Sequence, residues 1–310
     1  MTNGAPAQAD SVTISEVRSL AEVGEWQAAE AAVWSGSDLE VLPSSILVTL
    51  QRYGGLLLAA RDQSGNVVGV LLGFPGLKTG KVVHCSHMLG ILTEWRSLDI
   101  GFRMKCRQRE YVLEQGLDLI VWTFDPLETR NARLNTGRLG AICHDYHPNL
   151  YGAMNDDLNQ GMETDRLTAS WYIRHSAVAD RLAGRRPPAD PGALLASGVP
   201  LLTVTTPVEP TGGSEPYFRL MRYDTGLDAE TMLVEVPVNF QAIKSVDNAS
   251  AKEWRLGVRS MMTDLFARGY AAIDLLKDES PGQLTRCYYL IGKLEPYLRG
   301  AGSIEVRGTI

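Results

Sequence analysis

The sequence predicts a mixed α/β protein, and three observations support this fold class. Apolar residues recur at helical spacing over 15–34 and again over 43–53. The period then changes to short apolar runs separated by turn residues, among them GGLLLAARD, NVVGVLLGF and KVVHCSHMLGIL. After one further helix comes LDLIVWTFD, a nearly continuous apolar run that is typical of a strand buried on both faces.

The elements of the first half follow the order helix, helix, three strands, helix, strand, helix, strand, strand. The helix over 43–53 begins at Pro43 and ends before two glycines, and the segment QSGN predicts a hairpin. The helix in PLETRNARLNTGRLG begins at Pro126 and ends near Gly140. This order predicts a mixed sheet with an antiparallel first part and one helical crossover.

The stretch AGRRPPADPGALLASG predicts a break between domains, because proline, glycine and small residues interrupt both periodic patterns. We predict a first domain over 11–177, a linker over 178–199 and a C-terminal domain over 200–310. The tripeptide Glu-Trp-Arg precedes a predicted helix at 94–96 and occurs again at 253–255. Together with the similar element order, this repetition suggests that the second domain is a decayed copy of the first.

Composition excludes some classes of function. A net charge of −6 argues against a nucleic-acid or anionic-membrane partner, since such binding needs clustered Lys and Arg. The N-terminus lacks the apolar core of a secretory signal, and the apolar runs are too short to span a bilayer. Four scattered cysteines without a CxxC pattern are expected to be reduced thiols, which predicts a cytoplasmic protein.

The segment EWRSLDIGFRMKCRQREYV (94–112) combines a strand end, a short loop and a helix start. A helix N-terminus presents unpaired N–H groups and the positive end of its dipole, so a phosphate can bind there if the loop lets it approach. Asp99 occupies a loop position where glycine would allow the closest approach. Its carboxylate opposes an anion, although it suits a helix N-cap, and Arg103 and Lys105 are expected to offset its charge. The basic residues of the helix are otherwise expected to form a solvated face.

The pieces LGILTEWR (89–96) and RSLDIG (96–101) resemble the motif of the GNAT superfamily of acyl-CoA-dependent N-acyltransferases. The resemblance covers roughly 11–175. Arg96 and Gly101 match the motif, while Asp99 replaces its first glycine. The resemblance implies a GNAT-like first domain, an acyl-CoA co-substrate and an amine acceptor. The acyl-CoA site it implies consists of Leu89, Ile91, Arg96, Ser97, Leu98, Asp99, Ile100, Gly101, Phe102 and Asn131.

Four residues are candidates for acid–base chemistry. His87 lies near the thioester position that the resemblance implies, and a neutral imidazole can take the proton of an attacking amine. Asp125, at the end of the central strand, is an alternative base. The position of the family's usual tyrosine falls near Gly137, so Tyr146 or Tyr151 would have to replace it. No metal site is predicted, because the histidines of each His-x-x-His pair point apart on a strand.

The favoured function is acyl transfer from acyl-CoA to a small-molecule amine, with an amino acid as one candidate acceptor. A non-catalytic acyl-CoA-binding protein is the alternative from another class, favoured by Asp99 and the missing tyrosine. A CoA thioester hydrolase or decarboxylase on the same fold is a third. The second half is compatible with an internal pseudo-dimer, and a homodimer also stays open.

Overall fold

The structure is a computed structural model that describes residues 11–34, 41–154, 156, 158–210 and 214–298. Within these residues the predicted mixed α/β class is confirmed. The chain forms two compact units, Met1–Trp122 and Thr123–Ile310. The predicted domain bounds, 11–177, 178–199 and 200–310, stay predictions.

The first unit contains β1 (Thr13–Glu16), α1 (Leu20–Trp34), α2 (Ser44–Arg52), β2 (Leu56–Arg61), β3 (Val67–Lys78), β4 (Lys81–Ile91), α3 (Ile100–Glu114) and the start of β5 (Leu119–Phe124). Strands β1 to β4 pair antiparallel in chain order, and β5 pairs parallel with β4. Helix α3 is the predicted crossover between these two parallel strands.

Both faces of this sheet are covered. Successive side chains of β2 point to opposite faces, and the apolar ones need a covering layer on each side. Leu57 and Ala59 pack with the buried side of α1 and α2, where Trp26 donates its indole N–H to the Leu58 carbonyl (3.0 Å). Leu56, Leu58 and Ala60 point the other way, into a cluster that includes the first turns of α3. The sheet therefore fixes the start of α3 against its own apolar face.

The prediction of one helix over 15–34 is wrong at its beginning, because Thr13–Glu16 forms β1 and pairs with β2. Helix α1 begins at Leu20 for a local reason. Ser19 accepts a hydrogen bond from the Glu22 backbone (3.3 Å), and the Glu22 carboxylate accepts from the Ser19 backbone (2.9 Å). This reciprocal capping box satisfies two N–H groups at the helix start.

The second unit contains the end of β5, α4 (Thr129–Ala132), a π-helical segment (Arg133–Arg138), β6 (Ile142–His147), β7 (Arg166–Tyr172), α5 (Ser176–Leu182), α6 (Pro191–Ala196), β8 (Thr203–Val208), β9 (Tyr217–Tyr223), β10 (Thr231–Val236), α7 (Phe240–Val246), α8 (Asn248–Ala267), β11 (Tyr270–Asp278), β12 (Arg286–Lys293) and α9 (Glu295–Leu298). Strands β7, β6, β11, β12 and β10 pair antiparallel in that order. Strands β8 and β9 form a separate antiparallel hairpin.

Two details of the second unit differ from the sequence-based description. Helices α5 and α6 occupy much of the predicted linker. The second Glu-Trp-Arg tripeptide lies within α8, whereas the first lies ahead of α3. The tripeptide therefore does not mark equivalent positions, and the predicted repeat loses this support. Among the described helices, none combines the length and apolar character that crossing a membrane requires.

Candidate functional site

The loop between β4 and α3 has an unusual backbone. A short 3₁₀ turn over Thr93–Trp95 is followed by two residues in the left-handed region, Ser97 (φ 71°) and Asp99 (φ 59°). Such angles are rare for residues other than glycine, although aspartate and asparagine tolerate them best. Asp99 thus holds the geometry that glycine would provide.

Asp99 is the N-cap residue of α3, but its side chain makes no capping hydrogen bond and is exposed. The prediction that Asp99 occupies the N-cap position is therefore confirmed. The expectation that its carboxylate caps the helix is wrong. Arg96 ties the loop to the end of β4, because its Nε donates to the Ile91 carbonyl (3.1 Å). The N–H groups of the first turn of α3 consequently lie beside the C-terminal end of β4.

Strand β4 has a bulge at His87. Its pairing with β3 joins Leu72 to Met88 and then Gly73 to Ser86, which leaves His87 as the additional residue. A bulge leaves the backbone of the extra residue outside the regular ladder. His87 is exposed on one side, and the Phe74 ring lies 5.9 Å away between ring centres. The resulting partial loss of water lowers the pKa of the imidazole, so His87 is neutral at pH 7.

The edge of β4 next to β5 is paired over a short distance only. His84 pairs with Ile120 and Cys85 with Val121, and within 81–122 no further pair joins the two strands. On the other edge, β4 stays paired with β3 to Ile91. The segment Ser86–Ile91 therefore offers one edge on which an extended ligand can form strand-like hydrogen bonds.

A buried polar cluster lies between β4 and α3. Lys105 donates to the Ser86 hydroxyl (2.7 Å), and its Nζ lies 3.7 Å from the centre of the Trp122 ring. Ser86 in turn donates to Gln108 Oε1 (3.0 Å), and Gln108 Nε2 lies 3.1 Å from His84 Nε2. Because burial removes water from its ammonium, the pKa of Lys105 falls to about 7. The pKa of His84 falls to about 4, through burial first and the charge of Lys105 second.

The expectation that Arg103 and Lys105 offset the charge of Asp99 is wrong for Lys105. Its side chain turns into the protein and binds Ser86, and only 2% of the residue is exposed. Arg103 donates to the Val12 carbonyl (2.6 Å), a contact that attaches α3 to the start of the chain. The basic residues of α3 thus do not form one solvated face.

The second unit contains the other predicted site residues, and two of them are committed to buried contacts. Arg255 donates to both oxygens of Asp125 (2.8 and 2.6 Å) and is almost fully buried. Tyr146 donates to Asp165 (2.6 Å), and burial together with this carboxylate raises the pKa of the phenol well above its ordinary value. Asn131 is exposed on α4.

Sequence reasoning missed the partners of these residues and most of the buried cluster. A weak signal existed, since Gln108 follows Met104 by four residues and therefore shares its buried side of α3. Nothing in the sequence marked Arg255 as the partner of Asp125, because 130 residues separate them.

Comparisons with solved structures match about half of the chain. Neither a family model nor a curated protein matches the sequence. A GNAT-family acetyltransferase from Streptococcus pneumoniae is 14% identical and covers 51% of this chain and 98% of its own, with a TM-score of 0.42. A GNAT family acetyltransferase from Elizabethkingia anophelis with acetyl-CoA bound is 13% identical. The match covers 53% of this chain and 99% of that protein, with a TM-score of 0.39. An N-acetyltransferase from Staphylococcus aureus Mu50 is 12% identical. The match covers 53% of this chain and 99% of that protein, with a TM-score of 0.43. At such identities and TM-scores they assign no substrate and no residue role to this chain.

Proposed function

We propose that this protein transfers an acyl group from an acyl-CoA to an amine. One observation carries the proposal: the unpaired edge of β4 over Ser86–Ile91 leads directly into the left-handed loop and the first turn of α3. The first of these features suits an extended arm and the second suits a diphosphate. Coenzyme A carries both groups on one molecule.

The residues fit CoA in shape and less well in charge. The backbones of Leu89 and Ile91 would hold the pantetheine arm, and the N–H groups of Ile100 and Gly101 would hold the pyrophosphate, since a first helical turn lacks intrahelical acceptors. Asp99 opposes the pyrophosphate. Two unit charges 4 Å apart interact by about 1 kcal/mol in water and about 4 kcal/mol at an intermediate dielectric.

Acyl-CoA supplies an activated thioester and a thiolate leaving group, and the protein supplies position and proton transfer. We assign His87 to accept the proton of the amine, because its imidazole is exposed and neutral at pH 7. The bulge at His87 frees backbone N–H groups from the ladder, and such groups can stabilise an oxyanion. The ion pair of Asp125 and the hydrogen bond of Tyr146 favour structural roles for those two residues.

Binding is the first test. The wild type, Asp99→Asn and Asp99→Gly are titrated with CoA and with acetyl-CoA by calorimetry. We expect micromolar affinity in the wild type and an increase of about fivefold or more in both variants, because both remove the charge. Asparagine also tolerates the left-handed conformation. If affinity increased in the glycine variant alone, the cause would be the backbone and not the charge. No binding by any of the three proteins would refute the proposal.

Turnover is the second test. Release of CoA thiol is measured with amino acids, polyamines and peptide N-termini as acceptors, in the wild type and in His87→Gln. We expect amine-dependent release that falls at least tenfold in the variant. Binding without turnover would favour the non-catalytic acyl-CoA-binding protein, and release without any amine would favour a thioester hydrolase or decarboxylase.

A further inference from the structure

Lys105 is a buried amine without a counter-ion. Only 2% of the residue is exposed, and among the described residues no carboxylate pairs with it. Its ammonium contacts the Ser86 hydroxyl and the Trp122 ring instead. A buried charge without a partner is unfavourable, so a lysine at such a position calls for an explanation.

The cluster around Lys105 has more donors than acceptors. Gln108 accepts from Ser86 through Oε1, so its Nε2 donates to His84 Nε2, and the imidazole proton then lies on Nδ1. That Nδ1 is fully buried and has no hydrogen-bond partner among the described residues. Lys105 has three N–H groups and donates one of them to Ser86. Such an excess of donors suits a ligand that brings acceptor oxygens.

The cluster lies where β4 and β5 separate. Ser86 directly follows Cys85, the last residue of β4 that pairs with β5, and Trp122 directly follows Val121. Lys105 contacts both Ser86 and Trp122, so its Nζ lies at the closed end of the unpaired edge. From Ile91 back to Ser86 the strand covers five residue-to-residue steps, or about 17 Å. An extended pantetheine arm has a comparable length, so a thioester held on this edge would lie near Ser86.

An acyl group that extends beyond this thioester must leave the plane of the sheet. Within the sheet its way is blocked, because Cys85 and His84 of β4 pair with β5. Side chains alternate along a strand, and His84 and Ser86 lie on the face that α3 covers. All of the surplus donors described above lie on this face. A polar end on the acyl group would therefore meet Lys105.

We propose that Lys105, with His84, binds the free carboxylate of a dicarboxylic acyl group, so that the acyl donor is a succinyl-, malonyl- or glutaryl-type CoA thioester rather than acetyl-CoA. This inference rests on the proposed function and specifies its donor. A carboxylate would provide the counter-ion that Lys105 lacks and the acceptors that the cluster lacks.

The protonation of Lys105 gives a readout that is independent of activity. With a pKa of about 7, the amine is mostly neutral at pH 8 in the free protein, and a bound carboxylate would favour its charged form. His84 is the titratable group that faces it from β4, and with a pKa of about 4 it stays neutral at this pH. Trp122 of β5 and Gln108 of α3 carry no charge. Binding of a dicarboxylic acyl-CoA at pH 8 should therefore take up close to one proton.

The experiment is calorimetry at pH 8 in two buffers of different ionisation enthalpy, with CoA, butyryl-CoA and succinyl-CoA. Butyryl and succinyl groups have the same number of carbons and differ in the terminal carboxylate. We expect succinyl-CoA to bind at least tenfold more tightly than butyryl-CoA, with proton uptake for succinyl-CoA alone. Lys105→Met should abolish both the preference and the uptake while CoA still binds. Lys81→Met, which changes an exposed lysine of β4, should alter neither.

The outcomes separate the two proposals. Equal affinities for the two thioesters in a wild type that binds CoA would overturn the role of Lys105 and leave acyl transfer standing. A preference that persists in Lys105→Met would overturn it as well. If CoA itself does not bind, the proposed function fails and this inference fails with it. The proton uptake is measured on the wild type, so the test does not depend on the folding of a variant.

Discussion

Replacing Lys105 by methionine should change stability in a way that depends on pH. Methionine has a similar length, is apolar and does not titrate, so it fills the same space without a charge. The wild type, by contrast, must bury an amine whose pKa is 10.5 in its ordinary state and about 7 in the folded protein. The folded state therefore binds this proton less well than the unfolded state does.

The magnitude follows from linkage between proton binding and unfolding. Below pH 7 both states are protonated, and the folded protein carries the whole penalty, about 5 kcal/mol at about 1.4 kcal/mol per pH unit. Between pH 7 and 10.5 the unfolded state holds the proton and the folded state does not, so stability rises with pH. At pH 9 the remaining penalty is about 2 kcal/mol. Lys105→Met lacks this penalty at every pH.

The assay is urea unfolding of both proteins at pH 6, 7, 8 and 9. The stability of Lys105→Met relative to the wild type should decrease by about 3 kcal/mol from pH 6 to 9. Titrating groups that do not sense the charge of Lys105 cancel in the difference, and His84, whose pKa burial and that charge lower to about 4, titrates below this pH range in the wild type. The lost hydrogen bond to Ser86 adds an offset that does not vary with pH. A difference that stays constant over this range, or grows with pH, would refute the assignment of Lys105 as a buried amine of lowered pKa.

Three further predictions concern single contacts. Arg255→Ala removes both hydrogen bonds that the Arg255 guanidinium donates to Asp125 and leaves the longer ion pair with Arg166 (3.6 Å), so the free energy of unfolding in urea should fall by about 3–5 kcal/mol. Tyr146→Phe removes the donor to Asp165 and should lower stability by about 1–3 kcal/mol while kcat in the thiol-release assay stays unchanged; a large fall in kcat would restore Tyr146 as a catalytic acid. Gly73→Ala places a Cβ against the neighbouring imidazole and amide, so the thermal midpoint should drop by an amount that corresponds to about 1–3 kcal/mol, and an unchanged midpoint would show that the cluster can shift.

The order of elements in the first half could be predicted because periodicity and turn residues mark each element locally. The strands β2 to β5 and the crossover helix α3 are found where the patterns place them. The errors are at short elements. β1 has four residues, too few to show a period, and it exists because β2 pairs with it. The apolar run TMLVEVPVNF (231–240) predicts one strand, yet β10 ends at Val236, and Asn239 accepts from the Ala242 N–H and begins α7.

Of the candidate site, the sequence predicts the loop and the helix start but not the buried side chains. The motif residues identify a loop ahead of a helix, and the structure places Arg96 and Asp99 there. Lys105 could not be found in this way, because lysine is exposed in most proteins and nothing in its neighbours marks an exception. Its burial depends on Ser86 and Trp122, which lie on two strands that come together only in the fold.

Asp99 shows how geometry and charge can be separated at this site. Its φ of 59° is one that glycine adopts without strain, so the aspartate keeps the loop in the conformation that the proposed pyrophosphate site would need. Its charge would act against the same proposed anion. The two effects have different origins, one in the backbone of a single residue and one in a carboxylate that makes no capping bond. Asparagine retains the first and removes the second, so the difference between the asparagine variant and the wild type measures the charge alone.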